Sequence, residues 1–511
     1  MSRTRRFLGG IALGHMHLAL VTVVGLWMTP FLLHHLGEGS LGLWLIAQQL
    51  LGYLLLLDIG VSALLPRETA FATGRAGGVT MARDLPNVVA RARRAVMWQA
   101  PVVGVAALIV WAWMPEAWRP AAGPLACLLA SFVLLFPARL YPAFLQGVQE
   151  LAFLGRVQMA SWAIATGVTI GLVLYGASLH ALVAGWAAGQ LFTAAAARLR
   201  IARLYAGAWP SWSAKATLSD VKSYMSQAGW ISVAQVSQVL LTGSDLLLVG
   251  TILGAGAVVQ YACTTKLATV LSNHPQLIMQ AATPALSELR AANQRERLLD
   301  ASVALMLAML TVSGLVACLI LALNAAFVHW WVGPAQYGGH LLTLLAAIHL
   351  IARHLNVTFI YGLFCFGQER RISVTNLADG ALSITAAIVL VPLVGPVGAV
   401  LGSLIAVMLV SVPSNIFALA RETGTTSAVW VGHLRPWLWR FVALGVASAL
   451  VPSIWAPTGV MSLVGAGTVV TTVYALVMLQ GLSGGPLGAY VRPRLAGLMA
   501  AGWKPGLSER T

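Results

Sequence analysis

Charged residues are scarce in this chain. Only 9% of its 511 residues are Asp, Glu, Lys or Arg, whereas 59% are hydrophobic, and the mean hydropathy is +0.83. A soluble domain of this size is usually about a quarter charged. Too little polar surface remains to cover a water-soluble globule, so the composition favours a polytopic membrane protein.

Metal-ligand and channel motifs are also missing. The four cysteines have no metal-ligand spacing, and no cluster of His, Cys and Asp has it either, so we predict neither a metal nor a cofactor. The sequence has no selectivity-filter motif and no ring of like charges. The basic N-terminal start resembles a signal peptide, but its apolar run continues to about Leu33, which favours a first transmembrane helix.

Long apolar runs recur from one end of the chain to the other. They lack the two-residue alternation of barrel strands, and each is long enough to cross about 30 Å of hydrocarbon as a helix. The sequence therefore predicts an all-α membrane protein with about fourteen transmembrane helices. We place them at 8–33, 41–66, 95–115, 121–148, 157–177, 180–200, 226–252, 256–286, 299–323, 340–365, 373–393, 395–420, 438–456 and 459–482.

The basic residues predict the orientation. With the N-terminus in the cytoplasm, 27 of the 31 Lys and Arg residues fall in inner segments, three fall within spans, and only Arg119 lies outside. This is a strong positive-inside signal, and it places both termini in the cytoplasm. It also accounts for the net charge of +16 as a basic rim against anionic lipid headgroups, without nucleic acid.

Short motifs in the first half of the chain recur in the second half at a nearly constant spacing. "LGEGSLGLW" at 36–44 corresponds to "LGAGAVVQY" at 253–261, and Pro66 corresponds to Pro284. The Gln-Glu pairs in "LQGVQE" at 145–150 and "CFGQER" at 365–370 match as well. Three matches in the same order predict a parallel repeat of two six-helix lobes, as some transporters have.

The repeat defines the predicted domains. They are an N-terminal lobe at 1–205, a C-terminal lobe at 220–423, two appended transmembrane helices at 436–482, and a cytoplasmic tail at 483–511. Two such lobes suggest a central cavity between them, with access that alternates as the lobes rock.

The first hairpin is similar to a known family. "LGEGSLGLWLIAQQLLGYLLLLDIGVSALLPRETA" resembles the first hairpin of the polysaccharide (O-antigen type) flippases, in the multidrug/oligosaccharidyl-lipid/polysaccharide exporter superfamily. "TGSDLLLVGTILGAGAVVQY" resembles the family's seventh helix, with Asp245 in the typical Asp place. The residues that match the hairpin pattern are Leu36, Gly37, Gly42, Trp44, Asp58, Gly60 and Val61.

The resemblance covers helices 1 to 12 and implies a fold of two six-helix bundles in a V shape, like the drug exporters. It also implies a substrate, an oligosaccharide on a polyprenyl pyrophosphate, moved from the inner to the outer leaflet for surface polysaccharide such as lipopolysaccharide. No covalent chemistry is expected, hence no enzyme and no catalytic residue. The implied partners are the substrate, membrane lipids, and a polysaccharide polymerase and glycosyltransferases.

Six formal charges lie within the predicted spans, where each costs about 2.5–3.5 kcal/mol at a helix centre. They should therefore face the bundle interior. They are Asp58, Asp245, Asp379, Arg139, Lys266 and Arg353.

Two interpretations of these charges remain open. They can form the neutralising pairs Asp58–Arg139, Asp245–Lys266 and Arg353–Asp379. Alternatively, the cations and His354 can line a central cavity that binds pyrophosphate, since Arg suits bidentate phosphate contact. The two coexist if a carboxylate holds an arginine until substrate displaces it. The aspartates are then counter-charges, or sites of ion coupling.

Other functions remain as alternatives. A cation-coupled multidrug antiporter of the same superfamily needs an apolar pocket that bears acids, and the three aspartates are its candidates. A membrane glycosyltransferase or polymerase needs catalytic carboxylates and a sizeable extramembrane domain. The only acids in the predicted outer loops are Glu38 and Glu116, which argues against an enzyme.

Overall fold

The computed structural model describes residues 3–58, 61–76, 79–209, 244–455 and 457–482, with a few single positions between 210 and 243. Within these ranges every regular element is a helix, and eleven helical segments are long and apolar enough to cross a membrane. The predicted class, an all-α polytopic membrane protein, is confirmed.

The chain divides into two compact units, Met1–Val259 and Gln260–Thr511, called unit 1 and unit 2 below. The helices of unit 1 are α1 Arg3–Leu54, α2 Val61–Ala76, α3 Leu85–Ala112, α4 Ala122–Leu135, α5 Leu140–Gly147, α6 Leu151–Leu174, α7 Ser178–Leu204 and α8 Asp245–Ile252. Helix α9, Ala255–Thr264, begins in unit 1 and ends in unit 2.

Two membrane helices of unit 1 are interrupted. Helix α1 is 52 residues long because it merges two helices across Gly37, whose φ of 76° is not helical. Its second half continues into the 3₁₀ segment Leu55–Asp58, and a second 3₁₀ segment, Phe136–Arg139, separates α4 from α5. Helix α3 packs against both 3₁₀ segments, so the two breaks are neighbours of one helix.

Unit 2 is built around its longest described helix, α12. Its helices are α10 Lys266–Leu271, α11 Asn273–Ala291, α12 Arg295–Val332, α13 His340–Cys365, α14 Glu369–Val394, α15 Val397–Ala406, α16 Val412–Thr423, α17 Ser427–Ile454 and α18 Val460–Leu482. A π-helix, Val407–Ser411, joins α15 to α16. Helices α17 and α18 pack on α12. Their side chains Trp430, Trp437 and Tyr474 are buried in a hydrophobic core cluster of unit 2.

The predicted count of fourteen helices is not confirmed. The predicted helix at 226–252 falls largely outside the described residues, and the one at 256–286 is three pieces, α9 to α11. The proposed tail at 483–511 also lies outside the described residues. The lobe boundaries at 205 and 220, and the separate pair of helices at 436–482, stay predictions.

The backbone supports the repeat. Gly37 and Gly254, which occupy equivalent places in the two copies of the first motif, both have positive φ, 76° and 92°. Gly176 and Gly395, at 90° and 69°, are separated by nearly the same length of chain. Glycine adopts this conformation at no steric cost, so the same turns recur at the spacing found in the sequence.

The second copy of the first hairpin packs on α1 within unit 1. A Cβ on Gly42 would lie 2.0 Å from the carbonyl oxygen of Ala255, and one on Gly250 would lie 2.4 Å from Ile46. A hydrogen bond of 2.7 Å joins the hydroxyls of Tyr53 and Ser244. Glycine at 42 and 250 therefore allows α1 to approach α8 and the start of α9 closely.

Candidate functional site

Unit 1 contains an ion pair between its two helix breaks. Asp58 ends the first 3₁₀ segment and Arg139 ends the second, and Arg139 Nη1 lies 3.3 Å from Asp58 Oδ2. Short 3₁₀ stretches within helices often mark hinges. The predicted Asp58–Arg139 pair is present, and it connects two breaks in the helices.

This pair is loosely bonded. The nearest nitrogen, Arg139 Nη1, has no hydrogen-bond partner among the described residues. The Arg139 side chain is 35% exposed while that of Asp58 is 3% exposed, and Asp58 Oδ1 accepts a 3.3 Å bond from the backbone N–H of Ser62. The guanidinium carbon lies 5.8 Å from the Phe136 ring centroid. Arg139 is thus held by charge and ring contact and keeps donors for a further anion.

Unit 2 contains a second pair with a different geometry. Arg353 Nη1 and Nη2 donate to the two oxygens of Asp379 at 2.7 and 3.0 Å. Arg353 Nε also donates to His349 Nε2 at 3.0 Å, and the Ser411 hydroxyl donates to Asp379 Oδ2. Asp379 is fully buried. The predicted Arg353–Asp379 pair is present. Both carboxylate oxygens of Asp379 accept hydrogen bonds, and Nε, Nη1 and Nη2 of Arg353 each donate one.

The π-helix explains how Ser411 reaches Asp379. Pro413 follows at the second position of α16; it has no N–H to donate and its ring crowds the carbonyl four residues earlier. The helix widens at 407–411, as π-bulges do at many functional sites. Pro413 was the only signal of this irregularity in the sequence.

A layer of buried amides lies one turn from this pair. Asn415 Nδ2 donates to Asn356 Oδ1 at 2.8 Å, and both side chains are buried. Asn356 follows Arg353 by three positions, so these two residues share a helix face. Asn415 follows Ser411 by four positions and shares a face with it in the same way. Ser411 and both asparagines were not predicted from the sequence.

The other candidate residues lie apart from these pairs. His354 is buried, and its Nδ1 lies 2.7 Å from Ser313 Oγ on α12, so it faces another helix than Arg353. Lys266 begins α10 and is partly buried, with no ion pair to a carboxylate in the described part of unit 2. Asp245 begins α8 in unit 1. Their predicted roles, and the Asp245–Lys266 pair, stay predictions.

Taken together, these features define a class. A multi-pass helical fold with arginine–aspartate pairs inside its spans, one of them at breaks in the helices, is typical of a membrane transporter. Two solved structures have a similar fold. The lipid II flippase MurJ in an inward closed conformation matches with a TM-score of 0.65 at 12% identity, over 92% of this chain and 99% of that chain. An inward-facing multidrug resistance MATE family transporter of the MOP superfamily matches with a TM-score of 0.57 at 11% identity, over 78% and 94%.

The sequence adds a family match over part of the chain. The profile of the polysaccharide biosynthesis protein family matches residues 105–333, which with the fold confirms the resemblance to polysaccharide flippases predicted from the first hairpin. By sequence, no curated protein matches the chain.

Proposed function

We propose that the chain is a flippase for polyprenyl-pyrophosphate-linked oligosaccharide. It moves this lipid from the inner to the outer leaflet of the bacterial inner membrane by alternating access, with both termini cytoplasmic, and so supplies surface polysaccharide. The observation that carries the proposal is the loosely bonded Arg139 beside a buried Asp58, in a chain that matches the polysaccharide biosynthesis family.

Arg139 can exchange one anion for another. A guanidinium has five N–H donors in a planar fork that fits phosphate oxygens. Asp58 occupies Arg139 without a hydrogen bond from its nearest nitrogen, so a pyrophosphate that offers two strong acceptors competes well for it. Asp58 then acts as the counter-charge that keeps Arg139 in place between transport cycles.

The other predicted substrate residues have different requirements. Arg353 must leave Asp379 before its Nη atoms can bind phosphate, and His354 must leave Ser313. Lys266 has no such partner in the described part of unit 2. We therefore expect Arg139 and Lys266, each in its own unit, to be available to the pyrophosphate first, and assign Arg353 and His354 to later steps of the cycle.

The direction of transport follows from charge. The cell interior is negative, and moving one charge across the membrane potential is worth about 2.3 kcal/mol per 100 mV. Outward movement of an anionic pyrophosphate lipid is thus downhill without a coupling ion. No bond is made or broken, so the proposal requires no enzyme activity and no cofactor.

A cation-coupled multidrug antiporter is the alternative within the superfamily. It needs a carboxylate that can take up a cation or proton. Asp58 and Asp379 each have an arginine as partner, which argues against both in that role.

Transport by the purified protein separates the two functions. Reconstituted into liposomes, the chain should move a fluorescent polyprenyl-pyrophosphate oligosaccharide between leaflets, measured by quenching with a membrane-impermeant reagent. It should not drive accumulation of a lipophilic cation such as ethidium under a proton or sodium gradient. Cation accumulation without lipid movement would reject the flippase and establish the antiporter. Neighbouring genes for glycosyltransferases and a polymerase would identify the partners.

A further inference from the structure

A second candidate site is a cavity in unit 2, away from the ion pairs. Its volume is about 220 Å³, which is room for roughly seven waters at about 30 Å³ each, so it can hold a small molecule rather than a single ion. It lies where α11 and α16 end, where α12 begins and just after α13 ends. The lining residues used below are Arg290, Asn293, Arg295, Phe366 and Glu422.

Two arginines line this cavity. Asn293, with φ of 55°, lies between α11 and α12, and Arg290 and Arg295 on either side of it both contribute to the lining. Arg290 Nη1 donates to the carbonyl of Cys365 at 2.6 Å, and the guanidinium carbon lies 5.0 Å from the Phe366 ring centroid. Arg290 is thus anchored through one of its nitrogens and retains further donors.

Arg295 has no such anchor. Its side chain is exposed and forms no hydrogen bond or ion pair within the ranges that the structure describes. The two arginines therefore have different roles in the cavity. Arg290 is held in position, and the side chain of Arg295 is free to move onto a ligand.

Glu422 gives the lining an anionic group as well. Glu422 Oε1 accepts a 2.6 Å bond from Gln368 Nε2, which fixes the carboxylate and leaves its second oxygen for another donor. Glu422 lies in the last turn of α16, which is capped by Gly424 with φ of 71°. The carbonyl end of a helix favours a cation, so the helix end and the Glu422 carboxylate both favour a cationic group of the ligand.

We propose that this cavity binds a small zwitterion that carries a phosphate and a primary amine. The phosphate lies against Arg290 and Arg295, and the ammonium group lies against Glu422. Glu422 repels a ligand that has only a phosphate, and the two arginines repel a ligand that has only an amine. The cavity residues belong to predicted cytoplasmic segments, so the phosphoethanolamine headgroup of an inner-leaflet lipid and a free phosphoethanolamine are the two sources of this chemistry.

Native mass spectrometry of the purified full chain in detergent tests the proposal. The chain is titrated with phosphatidylethanolamine and, separately, with phosphatidylglycerol, which has a phosphate but no amine. We expect the amine lipid to bind at least about tenfold more tightly, since a hydrogen bond to a charged group is worth about 1.5–3 kcal/mol. Soluble phosphoethanolamine is then added as a competitor: displacement of the lipid indicates recognition of the headgroup alone, and no displacement indicates that the lipid is the source.

Two variants and one matched control locate the site. Arg295→Gln and Glu422→Gln should each weaken phosphatidylethanolamine binding about tenfold, and the glutamine at 422 can still accept the bond from Gln368. The control is Arg156→Gln, an exposed arginine of α6 whose Nε donates only to its own helix at Ala152. The proposal is overturned if both lipids bind equally, if Glu422→Gln strengthens binding, or if the two variants match the control. Because Arg295 is exposed, its substitution leaves the fold intact and the test decisive.

Discussion

Arg353 and Asp379 form a closed two-point contact: two guanidinium nitrogens donate to two carboxylate oxygens at 2.7 and 3.0 Å. Arg139 and Asp58 carry the same charges but approach through one nitrogen at 3.3 Å, without a hydrogen bond from it. Bidentate pairs are the strong ones. The two pairs therefore suit different tasks, Arg353–Asp379 to hold three helices of unit 2 together and Arg139–Asp58 to be opened.

The strength of the two pairs is measurable by double-mutant cycles. We expect the cycle of Arg353→Met and Asp379→Leu to give a coupling of about 2–3 kcal/mol, because each single change leaves a buried charge unpaired. The cycle of Arg139→Met and Asp58→Leu should give a smaller coupling, because Arg139 is 35% exposed and its nearest nitrogen forms no hydrogen bond with Asp58. Denaturation of the purified protein in detergent provides the four stabilities for each cycle. Equal couplings would show that the difference in geometry has no energetic consequence.

Asp58→Asn distinguishes a counter-charge from an ion-coupling site. We expect this variant to keep most lipid transport, because an asparagine oxygen still accepts the Ser62 N–H and Arg139 remains cationic. A coupling carboxylate would behave differently, since asparagine cannot take up a proton or bind sodium strongly. Transport assayed in liposomes at fixed protein density decides between them, with Asp245→Asn in parallel. Loss of transport in Asp58→Asn alone would assign coupling to Asp58.

The membrane potential should drive transport on its own. An interior-negative potential moves an anion outward, at about 2.3 kcal/mol per charge per 100 mV. We therefore expect net movement of the lipid in liposomes with a potassium diffusion potential and no pH or sodium gradient, and only equilibration between the leaflets when valinomycin and equal potassium collapse the potential. The opposite pattern, dependence on a pH gradient without a potential, would require a titrating group and reject this account of the energetics.

Gly42 tests the close packing of α1 on the start of α9. A Cβ at residue 42 would lie 2.0 Å from the Ala255 carbonyl oxygen, and backbone atoms cannot yield cheaply. Gly42→Ala should therefore lower the melting temperature or push α1 away from α9, detected as a gain in cysteine accessibility at a probe placed at Ala255. Gly39→Ala is the control, because a Cβ there meets nothing within 4 Å. Identical behaviour of the two variants would contradict the packing.

Much of the fold could be predicted from hydropathy and charge. The predicted helix at 340–365 has the bounds of α13, and the glycine turns at Gly37 and Gly254 lie at equivalent places in the repeat. The breaks within the helices were harder to predict, because hydropathy measures the length of an apolar run and not whether its helix is continuous. Helix α17 begins at Ser427, well before its predicted start at 438. Thr426 at the N-cap is a signal of the kind that marks helix starts.

The site was partly predictable. The charges within the predicted spans suggested an Asp58–Arg139 pair, and the structure contains that pair. Ser411 and the Asn356–Asn415 bond were not predicted, because neutral polar residues are common in membrane helices and only tertiary packing shows which are buried. The cavity lined by Arg290, Arg295 and Glu422 was not predicted either, since it depends on four helix ends that converge in space.

The most direct test of the central claim is the transport of pyrophosphate-linked oligosaccharide by Arg139 variants reconstituted at equal density. We expect Arg139→Gln to reduce lipid movement at least about a hundredfold, as the loss of a bidentate charge-assisted contact implies, and Arg139→Lys to retain part of it. The control variant Arg156→Gln should transport as the wild type does. Wild-type rates in Arg139→Gln would contradict the claim that this residue carries the pyrophosphate.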